Sequence, residues 1–153
     1  MKFLFVHSYF HIRSGSGTIM FQEANILKEK GHEVFFFTTD EKPYFDENYK
    51  YKDFFPSHPI YKTKSIPKLA NFFVKNLYNF EAEKKLLALI EEIKPDLVHV
   101  HDFQTLTPSV FIACKKVNIP TFLTVHGPDH LCPAESLLTK SGNICNEAHC
   151  WKG

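Results

Sequence analysis

Residues 2–39 change their hydrophobic period twice, and that change constrains the fold more than any other feature of the chain. Lys2 to Val6 form a short apolar, β-prone run, as a buried parallel strand would. From Thr18 to Lys30 the period becomes helical. Met20, Ala24, Leu27 and Gly31 fall at i, i+4, i+7 and i+11 on one face, and Ile19 and Ile26 widen it on one side. Ser16 is suited to cap this helix and Gly31 to follow its last turn. Val34 to Thr39 then read as a second strand. Strand, helix and strand in succession make a βαβ unit, whose crossover is right-handed.

The alternation continues. Periodicity is lost from Asp40 to Lys64, apart from a short strand expected at Ile60 to Lys62. Ser65 to Tyr78 are expected to be helical, with Pro67 in the first turn. Phe80 to Ile93 form a stronger helix, with Glu81 and Glu83 near its positive end, an apolar face of Leu86, Leu89, Ile90 and Ile93, and Lys94-Pro95 as its stop. Leu97 to Val100 give a third strand. Thr107 is expected to cap a helix with Pro108 at its first position, running to about Val117. The segment IPTFLTVH gives a fourth strand. Strands alternating with helices imply an α/β fold with a Rossmann-like, doubly wound, mostly parallel sheet. After Val125 come a cysteine-bearing loop region, residues 127–153, and no helix that closes off the last strand. The chain therefore reads as one incomplete domain, residues 1–153, at the front of a longer protein.

Length and composition exclude several classes. The 153 residues are 44% hydrophobic and 23% charged, which suits one packed domain and not a disordered chain. A net charge of +1 argues against nucleic acid as a partner, because such binding needs a concentrated positive surface. His7 interrupts the only apolar run near the N-terminus, so a signal peptide is not expected, and no run is long enough to span a bilayer. A cytoplasmic location follows. In that reducing compartment Cys114, Cys132, Cys145 and Cys150 are not expected to form structural disulfides.

The Gly-x-Gly of Gly15 and Gly17 opens the first helix and invites comparison with the dinucleotide fingerprint. Met20 stands where the third glycine or alanine belongs, and His7 to Ser14 separate the strand from the first glycine. Both features argue against nicotinamide or flavin binding, although Asp40 after the second strand mimics the ribose-binding acid. No cofactor is expected. A long loop ending in small residues at a helix N-terminus suits a different phosphate or carboxylate, held by free N–H groups and the helix dipole. The plainer alternative is a surface turn in which the glycines serve only the backbone.

The order of these pieces is more specific than any one of them. A strand, a long loop, a Gly-rich turn and a helix lead through LKEKGHEV into a strand; KPDLVHVHD and IPTFLTVHG follow. Together they resemble the N-terminal domain of retaining glycosyltransferases of the family-four type, which have the two-domain GT-B fold. The likeness extends over nearly the whole chain, and HGPDHLCPAESLLTKSGNIC resembles a cysteine-bearing loop in a subset of that family. The resemblance implies a retaining hexosyltransferase-type enzyme that moves a sugar from a UDP- or GDP-sugar donor to a glycan or lipid-linked acceptor, for surface polysaccharide or glycolipid synthesis. It implies peripheral contact with the inner face of the cytoplasmic membrane. It also implies a C-terminal domain of the same polypeptide, without which these residues are inactive.

The resemblance assigns roles by position. Gly15 and Gly17 would lie near the donor phosphate or reacting sugar. His126 would be the catalytic residue, contacting the transferred sugar in the cleft. His99, His101 and Asp102 would line the acceptor side. In retaining chemistry no protein base is obligatory, so His126 is assigned to orientation and hydrogen bonding. Two departures stand out: the Gly-rich turn lacks the Glu that follows adjacent glycines in many relatives, and Gly127 and Pro128 separate His126 from Asp129. The alternative from another class is a non-catalytic α/β binding module, stapled by zinc.

Cys132, Cys145 and Cys150 with His149 or His130 are the candidate zinc ligands for that staple, although they lack any Cys-x-x-Cys knuckle. Cys114 falls in an amphipathic helix and reads as core. From Lys42 to Lys75 lysines are interleaved with Tyr and Phe. That mixture suits an anionic lipid surface or a lipid-linked, phosphorylated acceptor; its alternative is a loop whose aromatics pack on the sheet.

Overall fold

The computed structural model of the protein describes residues 1–12, 14–40, 48–57, 77–128, 132, 136–139 and 141–145. Four strands, β1 (Lys2–Val6), β2 (Glu33–Phe37), β3 (Leu97–Val100) and β4 (Thr121–Leu123), form one sheet in the order β2-β1-β3-β4. Every pairing is parallel, with Phe5 opposite both Phe36 and His99, and His99 opposite Phe122. Among the described residues the α-helices of more than one turn are α1 (Gly15–Glu29), α2 (Phe80–Ile93) and α3 (Ser109–Lys116).

Side chains alternate across β1. Leu4 and Val6 meet Leu86, Leu89 and Ile93 of α2 and Val110 and Ala113 of α3, while Phe5 meets Met20 and Ala24 of α1. β1 is therefore apolar on both faces, which explains its unbroken hydrophobic run, while β3 is apolar toward α2 and α3 and carries His99 on the α1 face. From β1 the chain winds outward to β2 in one direction and through β3 to β4 in the other. With right-handed crossovers this reversal puts α1 on one face and α2 and α3 on the other. The sheet is doubly wound, as the sequence predicts, and parallel throughout.

The elements differ from expectation mainly at their ends. α1 starts at Gly15, not Thr18, because Ser14 and not Ser16 is the cap: Ser14 has extended backbone, and its Oγ accepts the Gly17 N–H at 3.0 Å. The end of α1 follows the sequence. Gly31 has φ +80°, its N–H bonds the Lys28 carbonyl at 2.9 Å, and the His32 N–H reaches Leu27 at 3.0 Å, which is the paired closure that glycine permits. Ile19 and Ile26 do not widen the buried stripe; they are 39% and 51% exposed, because Gly17, Met20 and Ala24 face the sheet, flanked by the partly buried Phe21 and Leu27.

β2 stops at Phe37, and the buried Thr39 turns its hydroxyl to the Ser8 carbonyl at 2.7 Å. α2 spans the expected residues. Asn79 caps it, accepting from Ala82 N–H, and Lys94 ends it in the left-handed region at φ 49°. α3 starts at Ser109 with Pro108 as the cap position; Thr107 lies at φ 62°, where its hydroxyl accepts the Asn79 N–H at 3.0 Å. β4 is shorter than IPTFLTVH suggests. After Leu123 only Thr124 still bonds Val100, so His126 lies beyond the ladder and not at a strand end.

The expected strand at Ile60 to Lys62 and nearly all of the helix expected over Ser65 to Tyr78 lie outside the described residues. Within the lysine–aromatic segment, residues 48–57 pack on the sheet. Tyr49 stacks on Phe55 and meets Phe36 edge-on; its hydroxyl accepts the Phe36 N–H at 2.8 Å and donates to the Phe36 carbonyl at 3.3 Å. It thereby covers the exposed edge of β2. Glu83 does more than favour the helix dipole: its carboxylate receives Lys116, which joins α2 to α3, and the Tyr78 hydroxyl, and together they hold it below the usual carboxylate range. Among the described residues no helix is long and apolar enough to cross a membrane.

Candidate functional site

In an open parallel sheet, ligands bind where the winding reverses, beyond the carboxyl ends of the strands. Here that point lies between β1 and β3. His7 and His101 are the first residues past these two strands. Both remain in the ladder, His7 N–H bonding Phe37 at 3.1 Å and His101 N–H bonding Val6 at 2.9 Å. Their side chains are fully buried. The loops above them form an open cleft of about 280 Å³, lined by Gly15, Ser16, His101, Asp102 and His126, with Gln104 and Gly127 at its margin.

Hydrogen bonds fix each wall. His7 Nδ1 accepts the Tyr9 N–H at 2.9 Å, so Nε2 carries the proton and donates to Ser16 Oγ, also at 2.9 Å. That bond draws Ser16 toward the cleft and explains why Ser14 is left to cap the helix. Burial lowers the His7 pKa, against the opposing pull of Asp102, and keeps the ring neutral. Asp102 Oδ1 accepts from Ser8 Oγ at 3.0 Å and from the Gln104 N–H at 2.8 Å, and Ser8 Oγ in turn accepts the Thr105 N–H at 3.1 Å. Asp102 thus ties the loop after β1 to the loop after β3.

The two glycines of the opening turn separate in space. Gly15 opens on the cleft, and a Cβ there would meet nothing within 4 Å. Gly15 and Ser16 open α1 at its positive end, where their N–H groups have no partner within the helix, and both residues line the cleft. Gly17 does not reach the cleft. It is buried, its N–H is taken by Ser14, and a Cβ would stand 2.2 Å from the His11 carbonyl oxygen. Glycine is needed there for the close backbone approach.

The histidines behind the cleft form a chain. His126, exposed at the rim, places Nε2 3.0 Å from Nδ1 of the buried His101. The two rings stack at 25°, and His101 also lies against His99, tilted by 41° with ring centroids 4.2 Å apart. Burial, then His99, His126 and His7, push the His101 pKa down to about 3. His99 is also lowered by burial; its Nε2 lies 2.7 Å from Thr124 Oγ1. Of the expected site residues, Gly15, His101, Asp102 and His126 meet at the cleft. His99 lies on the α1 face of the sheet, away from it.

Sequence reasoning missed His7, Ser8, Ser16 and Glu23. His7 follows a confident strand directly, the same signal that marks His101. Glu23 lies three residues after Met20 and one before Ala24, so its position on the buried edge of α1 was readable. Of the cysteine-loop candidates, Cys132 is buried and Cys145 is partly exposed, and among the described residues neither is in a disulfide. His130, His149 and Cys150 lie outside the described residues. A wider groove of about 780 Å³ lies on the outer side of α2, around Phe80, Leu87 and Val117, remote from the switch point.

These features define a Rossmann-like α/β domain with its cleft at the switch point. Comparison with known proteins narrows the class. Residues 13–148 match Glycosyltransferase Family 4, and the chain belongs to that family. No curated protein matches the sequence. Among solved structures the C-terminal domain of a hydrogenase from Pyrococcus furiosus is similar, with a TM-score of 0.51 at 16% identity over 80% of this chain and 90% of that one. MurG of Acinetobacter baumannii is similar with a TM-score of 0.49 at 17% identity, over 80% of this chain. The chain spans 33% of the length of that MurG chain.

Proposed function

We propose that these residues form the N-terminal, acceptor-side domain of a retaining glycosyltransferase with the GT-B fold. The donor is a UDP- or GDP-sugar. The acceptor is a glycan or a lipid-linked glycan at the inner face of the cytoplasmic membrane. A C-terminal domain of the same polypeptide holds most of the donor, and the present residues alone do not catalyse transfer.

The observation that carries this reading is the convergence of Gly15, Ser16, Asp102 and His126 on one cleft at the switch point. Transfer from a nucleotide donor requires a stabilised leaving diphosphate, a positioned hydroxyl and excluded water. The amides at the start of α1 suit the diphosphate, and the absent Cβ of Gly15 allows close approach. Asp102 repels phosphate, so sugar hydroxyls belong on its side of the cleft. His126 Nε2 is engaged by His101, which leaves Nδ1 to hydrogen-bond a hydroxyl of the transferred sugar. His101 acts through His126 as a positioning residue.

The test uses the full-length enzyme with labelled UDP- and GDP-sugars and reads transfer and donor hydrolysis. His126→Ala is expected to lower kcat/KM by about 10²-fold, the order seen when one preorganised donor to a developing charge is removed. Unchanged activity in that variant refutes the role of His126.

A further inference from the structure

On the α1 face of the sheet, directly behind the cleft, three potential metal ligands converge. Glu23 Oε2 lies 3.4 Å from His99 Nδ1 and 3.4 Å from His101 Nε2. All three ligand atoms lie within 4.8 Å of one another. A tetrahedral ion with bonds of about 2.1 Å has ligand–ligand edges of about 3.4 Å. Both edges to Glu23 have that length, which is too long for a good hydrogen bond.

His101 Nε2 makes the case specific. Its side chain is fully buried, and Nε2 has no hydrogen-bond partner among the described residues, although it faces a carboxylate. A buried polar atom of this kind costs free energy unless something satisfies it. The opposite ring atoms are engaged: His99 Nε2 with Thr124 Oγ1 at 2.7 Å, and His101 Nδ1 with His126 Nε2 at 3.0 Å. Protons on those two outer nitrogens leave the lone pairs of His99 Nδ1 and His101 Nε2 both aimed at Glu23. Ligating imidazoles have this arrangement, with the distal N–H held by a second partner that sets the tautomer.

We propose that Glu23, His99 and His101 bind one divalent transition-metal ion of the zinc class, through Oε2, Nδ1 and Nε2 respectively. Two imidazoles and a carboxylate favour zinc over the hard cations, which take oxygen ligands. The set is separate from the cysteine loop and uses none of its residues. Metal at this position fixes the His101 tautomer and makes Nδ1–H the donor to His126. That last link rests on the placement of His126 in a transferase cleft; the metal site itself does not.

The experiment reads metal binding and not activity, so its failure is distinct from failure of the transferase reading. Full-length protein stripped with a chelator is titrated with Zn²⁺ by calorimetry and with Co²⁺ by visible absorption. The expected result is one equivalent bound at this site, with ligand-field bands and no thiolate charge-transfer band. Glu23→Gln and His99→Asn should each weaken binding at least tenfold, while the double variant Cys132→Ser, Cys145→Ser keeps it. Imidazole ¹⁵N spectra of the unsubstituted protein provide a readout that does not depend on a variant folding: Zn²⁺ should shift His99 at Nδ1 and His101 at Nε2. No uptake, uptake lost in the cysteine variant but kept in Glu23→Gln, or ¹⁵N shifts confined to other histidines would overturn the proposal.

Discussion

Alanine at Gly17 and alanine at Gly15 should move stability in opposite directions, although the two positions share the first turn of α1. In a helix Gly→Ala ordinarily stabilises by up to about 1 kcal/mol, because alanine loses less backbone entropy. At Gly15 nothing opposes that gain, since the new Cβ meets no atom within 4 Å. At Gly17 the Cβ would stand 2.2 Å from the His11 carbonyl oxygen and 2.9 Å from Ser14 Oγ. Relieving the first contact moves a backbone carbonyl by about 1 Å, and overpacking of this kind costs about 1–3 kcal/mol. Relieving the second disturbs the hydroxyl that caps the helix, which costs about 1 kcal/mol more. Net of the helix gain, Gly17→Ala should destabilise by roughly 1–3 kcal/mol. At about 2–4 °C per kcal/mol for a domain of this size, calorimetry should show Tm lowered by roughly 2–12 °C. Gly15→Ala should leave Tm equal or up to a few degrees higher. If Gly17→Ala melts at or above the parent, the first loop does not run against the helix as described. If Gly15→Ala destabilises as much as Gly17→Ala, Gly15 is not open to the cleft.

Two titrations test the buried polar groups. The His7 pKa is lowered by burial, with His11 and His126 adding to the shift and Asp102 opposing it; the unfolded chain therefore binds this proton first, and the stability from His7 is complete above about pH 6.5 and is lost as pH falls toward the folded pKa. Urea melts should lose up to about 1.4 kcal/mol per pH unit through this group, and His7→Gln should remove that part of the slope; an unchanged slope refutes the assignment. Burial raises the Tyr49 pKa to about 12, so its contribution is present below pH 10 and is lost as pH rises from 10 to 12. Tyr49→Phe should abolish that alkaline loss, cost about 1–3 kcal/mol at neutral pH by leaving the Phe36 N–H unpaired, and speed exchange of that amide; a Phe36 amide that stays equally protected would show that Tyr49 does not guard the edge of β2.

The fold was legible in the sequence wherever one local signal decided it. An unbroken apolar run marked β1, the apolar residues around His99 marked β3, the Leu86, Leu89, Ile90, Ile93 face marked α2, and Gly31 marked the end of α1. The start of α1 was not legible, because Ser14 and Ser16 are equally good caps in isolation. A residue distant in sequence chooses between them: His7 draws Ser16 toward itself. The length of β4 depended likewise on how far β3 could pair with it. For the site, position after a strand identified His101, while the spacing of Gly15 and Gly17 could not tell a glycine facing a ligand from one facing a carbonyl. That distinction lies in the path of His11, which has no periodic signature. The spacing of Glu23 from Met20 put it at the buried edge of α1, but its partners His99 and His101 lie in and just past β3, far along the chain, and no local signal links them to it.

The imidazoles explain why the cleft stays where it is. Polar side chains buried at the ends of the two central strands must find partners in the loops above them, since water is excluded there. His7 finds Tyr9 and Ser16, His101 finds His126, and Asp102 joins the loop after β1 to the loop after β3 through Ser8. The groups that satisfy the core are thus the groups that line the cleft. Phe10 packed on Phe21 and Phe36 and the buried Leu106 anchor the same two loops by apolar contact, so the polar network sets where the cleft groups sit, and removing one member costs more than its own bond. Damage to His7 or His101 should therefore appear first as misplacement of Ser16 or His126, while loss of His126, exposed at the rim, leaves the sheet and its buried histidines standing.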